Sequence, residues 1–182
     1  MILVMGIVFN LVEQIVAEEH GEATWDALID EAGVDGAYAS LGNYPDQEVM
    51  ALATAACTRF DCSMDTLLRW LGKKSVPVFA ERYPHFFERY RTVTPFLTSL
   101  NDFIHPEVKL LYPGASPPLF EFDTPAPDRL VITYSSERKM CMFGEGLVEG
   151  SAEHYGQRVS IEQSRCMLRG DEKCDLVIDL LT

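Results

Sequence analysis

The sequence predicts an α+β fold: short helices in front, then a small antiparallel sheet with one long helix inserted between its strands. Three observations carry that expectation. Up to residue 111, apolar residues recur at helical spacing between glycine, threonine and proline punctuation. From residue 119 onward, short runs bounded by turn residues replace them. The string Tyr112-Pro113-Gly114-Ala115-Ser116-Pro117-Pro118 marks the change of pattern.

Ile7, Val8, Leu11, Val12 and Ile15 form the first helical stripe, which stops at His20-Gly21. Thr24 is placed to cap a second helix carrying Trp25, Leu28, Ile29 and Ala32 and ending at Gly33. Pro45-Asp46 opens a third helix, and Ser63 a fourth that reads as closing at Gly72. Residues 76–90 are less regular and rich in aromatics. Thr94-Pro95 starts another helix through Phe96, Leu97, Leu100, Phe103 and Ile104, and Pro106 breaks or kinks it just after His105. Residues 119–122 and 130–136 read as strands, and residues 139–155 as the long helix. Residues 159–167 and 174–181 form a hairpin around Arg169-Gly170-Asp171-Glu172.

A length of 182 residues fits one domain, divided into a helical subdomain at residues 1–62 and the remainder at 63–182. Lys and Arg number 15 against 28 Asp and Glu, a formal charge of −13. So acidic a surface repels phosphate backbones and anionic lipid, which argues against nucleic-acid and membrane-surface roles. No apolar run approaches the roughly 18 residues that a spanning helix needs. The opening segment has no basic n-region, and the five cysteines are an odd number. Both fit a cytoplasmic protein whose thiols are reduced or bind metal.

Four groups of residues could carry chemistry. On a continuous strand, Tyr134, Ser136 and Arg138 share one face, and their phenol, hydroxyl and guanidinium suit carboxylates. The same spacing also fits an ordinary solvated strand. His105 sits in the apolar stretch Phe103-Ile104-His105, as either a packed side chain or a neutral ligand for haem iron. Gly144, Gly146 and Gly150 leave room on the long helix for a flat group or for a closely packed neighbour. Cys166 and Cys174 flank Gly170 symmetrically, which places them opposite each other in a regular hairpin.

In combination these strings are more specific. Phe103-Ile104-His105, Tyr112-Pro113-Gly114, Pro117-Pro118 and Tyr134-x-Ser136-x-Arg138 follow one another, behind Met5-Gly6-Ile7-Val8-Phe9-Asn10 at the start. The chain resembles the H-NOX (heme-nitric oxide/oxygen binding) family, bacterial stand-alone gas sensors related to the haem domain of the soluble guanylate cyclase β subunit. The resemblance implies a haem b held between the two subdomains. It makes His105 the axial iron ligand, Tyr134, Ser136 and Arg138 the propionate clamp, and Pro118 the residue that distorts the porphyrin. Oxygen-binding members place a tyrosine donor on the long helix, where this chain has Phe143. Val8, Val12, Phe79 and Leu147 complete an apolar pocket. The implied function is a sensor and not an enzyme. It binds NO and CO, excludes O₂, and signals by cleavage of the iron–histidine bond to a separate effector such as a histidine kinase or a cyclic-di-GMP enzyme.

Some bacterial members also hold zinc through cysteines at the positions of Cys141, Cys166 and Cys174 together with a histidine. Gln163 stands at that histidine's position, and an amide is a poor zinc ligand. Two other functions remain open from the residues alone: a haem-independent thiol or zinc redox sensor, and a haem enzyme. The enzyme would need a distal acid–base residue, which the apolar set does not supply. Cys57 and Cys62 lie in the helical half and read as structural.

Overall fold

Residues 3–113, 115 and 117–181 are described in the computed structural model. Gly114 and Ser116 of the proline-rich junction lie outside them. The fold is α+β, and its contacts divide it into two units, residues 1–71 and 72–182. No helix among the described residues is long and apolar enough to cross a membrane.

In the first unit, strands β1 (Leu3–Met5) and β2 (Asn43–Pro45) pair antiparallel, Leu3 opposite Pro45. Helix α1 (Gly6–His20) follows β1 directly. Its buried face runs through Phe9, Leu11, Ile15 and Val16, with Val12 packed on the same core and Val8 exposed. The expected stripe therefore holds at Leu11, Val12 and Ile15, while at the start of the helix Phe9 takes the buried position expected of Val8. Phe9 stacks there on Tyr38 at 4.0 Å between ring centroids and meets Tyr44 edge-on at 5.6 Å. Helix α2 (Glu22–Ala32) starts at Gly21, ahead of Thr24. The Thr24 hydroxyl donates to the His20 carbonyl and so closes the previous helix instead of capping its own. Helix α3 (Asp46–Phe60) begins where Pro45-Asp46 predicts.

Helix α4 (Met64–Arg82) corrects the expected stop at Gly72. The chain stays helical because packing overrides the weak propensity of glycine. A Cβ at Gly72 would lie 2.1 Å from the Phe143 carbonyl oxygen, so only glycine permits the approach of helix α8 (Cys141–His154). One turn on, Pro77 has no N–H to offer the Lys73 carbonyl. That carbonyl faces Gly150, where a Cβ would come within 2.6 Å of it. Gly150 therefore serves close helix packing, whereas a Cβ at Gly144 would meet open space.

The second unit continues with α5 (Pro84–Phe87) and α6 (Val93–Thr98). Helix α6 starts before the Thr94-Pro95 pair because the Gln157 side-chain oxygen accepts from the Val93 N–H at 2.7 Å. A π-helical turn, Leu100–Ile104, then leads into α7 (His105–Leu111). Strands β3 (Phe120–Ala126), β4 (Arg129–Tyr134), β5 (Arg158–Arg165) and β6 (Cys174–Leu181) form an antiparallel sheet in the order β3-β4-β6-β5. Its core gathers Val76, Phe86, Phe96, Ile132, Val148 and Ile178 between helices and sheet. Strand β5 ends at Arg165, before the expected Met167, because the Cys166 N–H turns to the Asp171 carboxylate at 2.7 Å.

Candidate functional site

The π turn decides where His105 stands. Its backbone N–H reaches back to the Leu100 carbonyl, five residues earlier, and Pro106 in the first turn of α7 offers no N–H at all. Such wide turns recur at functional positions because they re-aim one side chain out of the regular helical register. The turn is fixed to the sheet by Asn101. Its amide nitrogen donates to the Phe120 carbonyl at 2.7 Å, and its amide oxygen accepts from the Phe120 N–H at 3.1 Å. The first residue of β3 is thus held from both sides.

Phe120 is the hinge of the site. Its ring lies 5.6 Å from the His105 ring and 5.9 Å from the Tyr134 ring, and Phe120 and Tyr134 are cross-strand partners. Burial, and secondly the nearby Lys109 cation, hold the His105 pKa below the usual histidine value, against the Pro118 backbone. The ring is neutral and has one nitrogen able to accept a bond or a metal.

Strand β4 ends at Tyr134, so Ser136 and Arg138 do not continue a strand face as expected. A turn carries them instead: the Lys139 N–H closes on the Ser136 carbonyl at 3.1 Å, and Lys139 has φ +49°. Within it the Arg138 N–H donates to the Ser136 hydroxyl at 3.3 Å, and the Met140 N–H donates to the Tyr134 hydroxyl at 3.1 Å. Burial raises the Tyr134 pKa, against a lowering by its bond with Ser136. The phenol therefore keeps its proton. Tyr134 is buried, Ser136 half-buried and Arg138 exposed.

The sequence of the chain matches the family model described as Haem-NO-binding over residues 5–163. The chain belongs to the H-NOX family. Its fold is similar to that of an H-NOX protein from S. oneidensis in the Fe(II)NO ligation state, with a TM-score of 0.91 and 26% identity over 98% of this chain and 100% of that one. The unliganded Fe(II) H-NOX protein from K. algicida gives 0.86 and 26% identity over 98% and 97%. An Fe(II)CO H-NOX domain from Shewanella oneidensis gives 0.88 and 27% identity over 98% and 99%. No curated protein sequence matches the chain.

H-NOX domains are haem-based gas sensors, and the residues of this chain fit that group. His105 offers a neutral nitrogen, and Tyr134, Ser136 and Arg138 offer donors to carboxylates within one short turn. Of the remaining apolar candidates, Phe79 and Leu147 pack on the core of the second unit, and Phe143 is half-buried on α8. Val8 and Val12 belong to α1 in the first unit, Val8 exposed and Val12 packed on that unit's own core.

The structure also brings Cys141, Cys166 and Cys174 together, all buried, with their sulfurs within 4.8 Å of one another. Cys166 Sγ lies 3.7 Å from Cys141 Sγ and 3.9 Å from Cys174 Sγ. Burial and the neighbouring thiols push Cys141 up to about 12. Burial pushes Cys166 up as well, but the backbone at Leu168 and the hydrogen bonds of both neighbouring thiols outweigh it and hold Cys166 below the usual thiol value. Gln163 does not join them. Its amide donates to the buried Glu145 carboxylate at 3.1 Å and to the Met142 sulfur at 3.4 Å.

Sequence reasoning missed Asn101, Phe120 and Glu145. Phe120 carried a weak signal as the first aromatic after the junction. Asn101 and Glu145 carried none, because their partners come from distant parts of the chain.

Proposed function

We propose that the chain is a haem-based nitric oxide sensor that binds NO and CO at ferrous haem b, excludes O₂ and signals to a separate effector protein. The half-buried, neutral His105 that closes the π turn carries this reading. A neutral imidazole has one unprotonated nitrogen to offer iron, and the Pro118 backbone beside it belongs to the segment expected to press on the porphyrin. A bound haem would supply a ferrous iron for NO or CO, with His105 as its protein ligand.

The chain's own residues do the rest. Tyr134, Ser136 and Arg138 hold the propionates through their donors. Phe143, Phe79 and Leu147 offer no N–H or O–H to a polarised O₂, which depends on such a donor more than NO does. Were His105 released from iron, α7, which it begins, would be free to move while Asn101 held the turn before it to β3. A signal requires two such states of unequal affinity for NO. The effector class is a histidine kinase or a cyclic-di-GMP enzyme.

Absorption spectra of the haem-loaded, reduced protein test the reading. The expected result is a five-coordinate ferrous spectrum that changes with NO and with CO and is unchanged by air except for slow oxidation. A long-lived oxy spectrum, or a chain that takes up no haem, rejects it.

The buried triad of Cys141, Cys166 and Cys174 favours a second input, a zinc or thiol site that works without haem. It is compatible with the first reading.

A further inference from the structure

Cys57 and Cys62 flank the end of helix α3, outside the residues assigned to haem or zinc. Asp61 adopts φ +49° and ψ +51°, the left-handed conformation that ends a helix and that aspartate tolerates better than most residues. The Asp61 N–H and the Cys62 N–H both return to the Cys57 carbonyl, the latter at 3.1 Å. The bond from Cys62 is the outer one of a Schellman closure, which commonly brings together the side chains of the two residues it joins. Here both residues are cysteines, joined backbone to backbone. Both are half-buried, unlike the fully buried triad of the second unit, so a small oxidant has access to them.

We infer that Cys57 and Cys62 are a redox-active dithiol that closes to a disulfide across the α3 cap when it meets a low-molecular-weight disulfide such as oxidised glutathione. In the first step the thiolate of one cysteine attacks the glutathione disulfide. A protein–glutathione mixed disulfide forms and one glutathione thiolate leaves. In the second, the thiolate of the other cysteine attacks the protein sulfur of that mixed disulfide and displaces the second glutathione. The protein gives up two hydrogens, and one glutathione disulfide becomes two glutathione thiols. The closed bridge fixes the connection from α3 into α4, beside the stack of His20 on Phe60 at 4.5 Å. It is an input independent of haem.

The full chain contains a built-in readout. Arg59 is its first lysine or arginine and lies between the two cysteines, so trypsin places Cys57 in peptide 1–59 and Cys62 in peptide 60–69. Reduced protein is incubated with oxidised glutathione, alkylated, digested and examined by mass spectrometry. The expected product is the two peptides joined, and separated again by dithiothreitol. The Cys62→Ser variant should lose the joined species and retain glutathione on Cys57. Recovery of both wild-type peptides as alkylated thiols overturns the inference. So does stable separate glutathionylation, or a link from either cysteine to the C-terminal triad. The wild-type peptide map decides by itself if the variant does not fold.

Discussion

The backbone N–H of His105 closes a π turn on the Leu100 carbonyl, and this turn sets where the imidazole stands for a metal. The expected consequence is tested by His105→Gly. That variant should fail to retain haem, and added imidazole should restore retention, because a free base can occupy the vacated coordination position. Haem content per chain measures it. Wild-type retention and an unchanged ferrous spectrum without imidazole would remove His105 as the ligand.

Asn101 holds the π turn onto β3 with two hydrogen bonds to one residue, Phe120. Asn101→Ala removes both and leaves a half-buried N–H and carbonyl unpaired, which costs about 1–3 kcal/mol in stability. The midpoint of urea unfolding should fall, and haem dissociation should accelerate as His105 loses its support. Asn101→Asp keeps the acceptor for the Phe120 N–H and should be milder on both measures. Equal behaviour of Ala, Asp and wild type would show that the clamp contributes nothing.

How legible these features were depends on the range of the forces behind them. The order of helices and strands was readable because periodicity and punctuation are local, as at Gly33 and Pro45-Asp46. Gly72 misled because the reason for a glycine there is the Phe143 carbonyl, which only the tertiary fold supplies. The Tyr134-x-Ser136-x-Arg138 string was readable as a donor set but misplaced on a strand, since the Met140 N–H and the Tyr134 hydroxyl bend the chain into a turn. Pro106 signalled a disturbed helix, but only the bond from His105 back to Leu100 shows that the disturbance is a π turn before it.

Tyr134 and Arg138 should separate structural from ligand-holding roles. Tyr134→Phe deprives the Met140 N–H of its acceptor and should cost about 1 kcal/mol in the stability of the haem-free protein. Arg138 is exposed, and Arg138→Ala should change that stability by no more than about 0.5 kcal/mol. Both variants should lose haem faster than wild type to a scavenger protein. Wild-type haem dissociation in Arg138→Ala would take the guanidinium out of the propionate clamp.

In the proposed function gas selectivity rests on Phe143, half-buried on α8 with no donor of its own. Phe143→Tyr adds one hydroxyl and should produce a detectable oxy complex in air while leaving NO and CO binding intact. The absorption spectrum of the reduced variant after exposure to air reads this directly. If O₂ binding stays undetectable in the variant, or if wild type forms an oxy complex, selectivity does not rest on Phe143.

The thiol triad yields the last prediction. Tetrahedral zinc with bonds of about 2.3 Å sets its sulfurs about 3.8 Å apart. The separations around Cys166, 3.7 and 3.9 Å, are of that size. Cys166 is also the thiol held below the ordinary value, so it is the first of the three to ionise. Gln163 is committed to Glu145, which leaves the fourth position to water or another small ligand. Such a site should bind zinc more weakly than one with four protein ligands, and acidification should release the metal as the thiolates take up protons. Protein purified under reducing conditions should carry close to one zinc per chain, and Cys174→Ser should carry none. Metal-free wild-type protein that remains metal-free after zinc dialysis would make the triad a packed cluster of reduced thiols. In that case Cys174→Ser should lose about as much stability as any small buried apolar group replaced by a hydroxyl, about 1–3 kcal/mol, with no dependence on chelator.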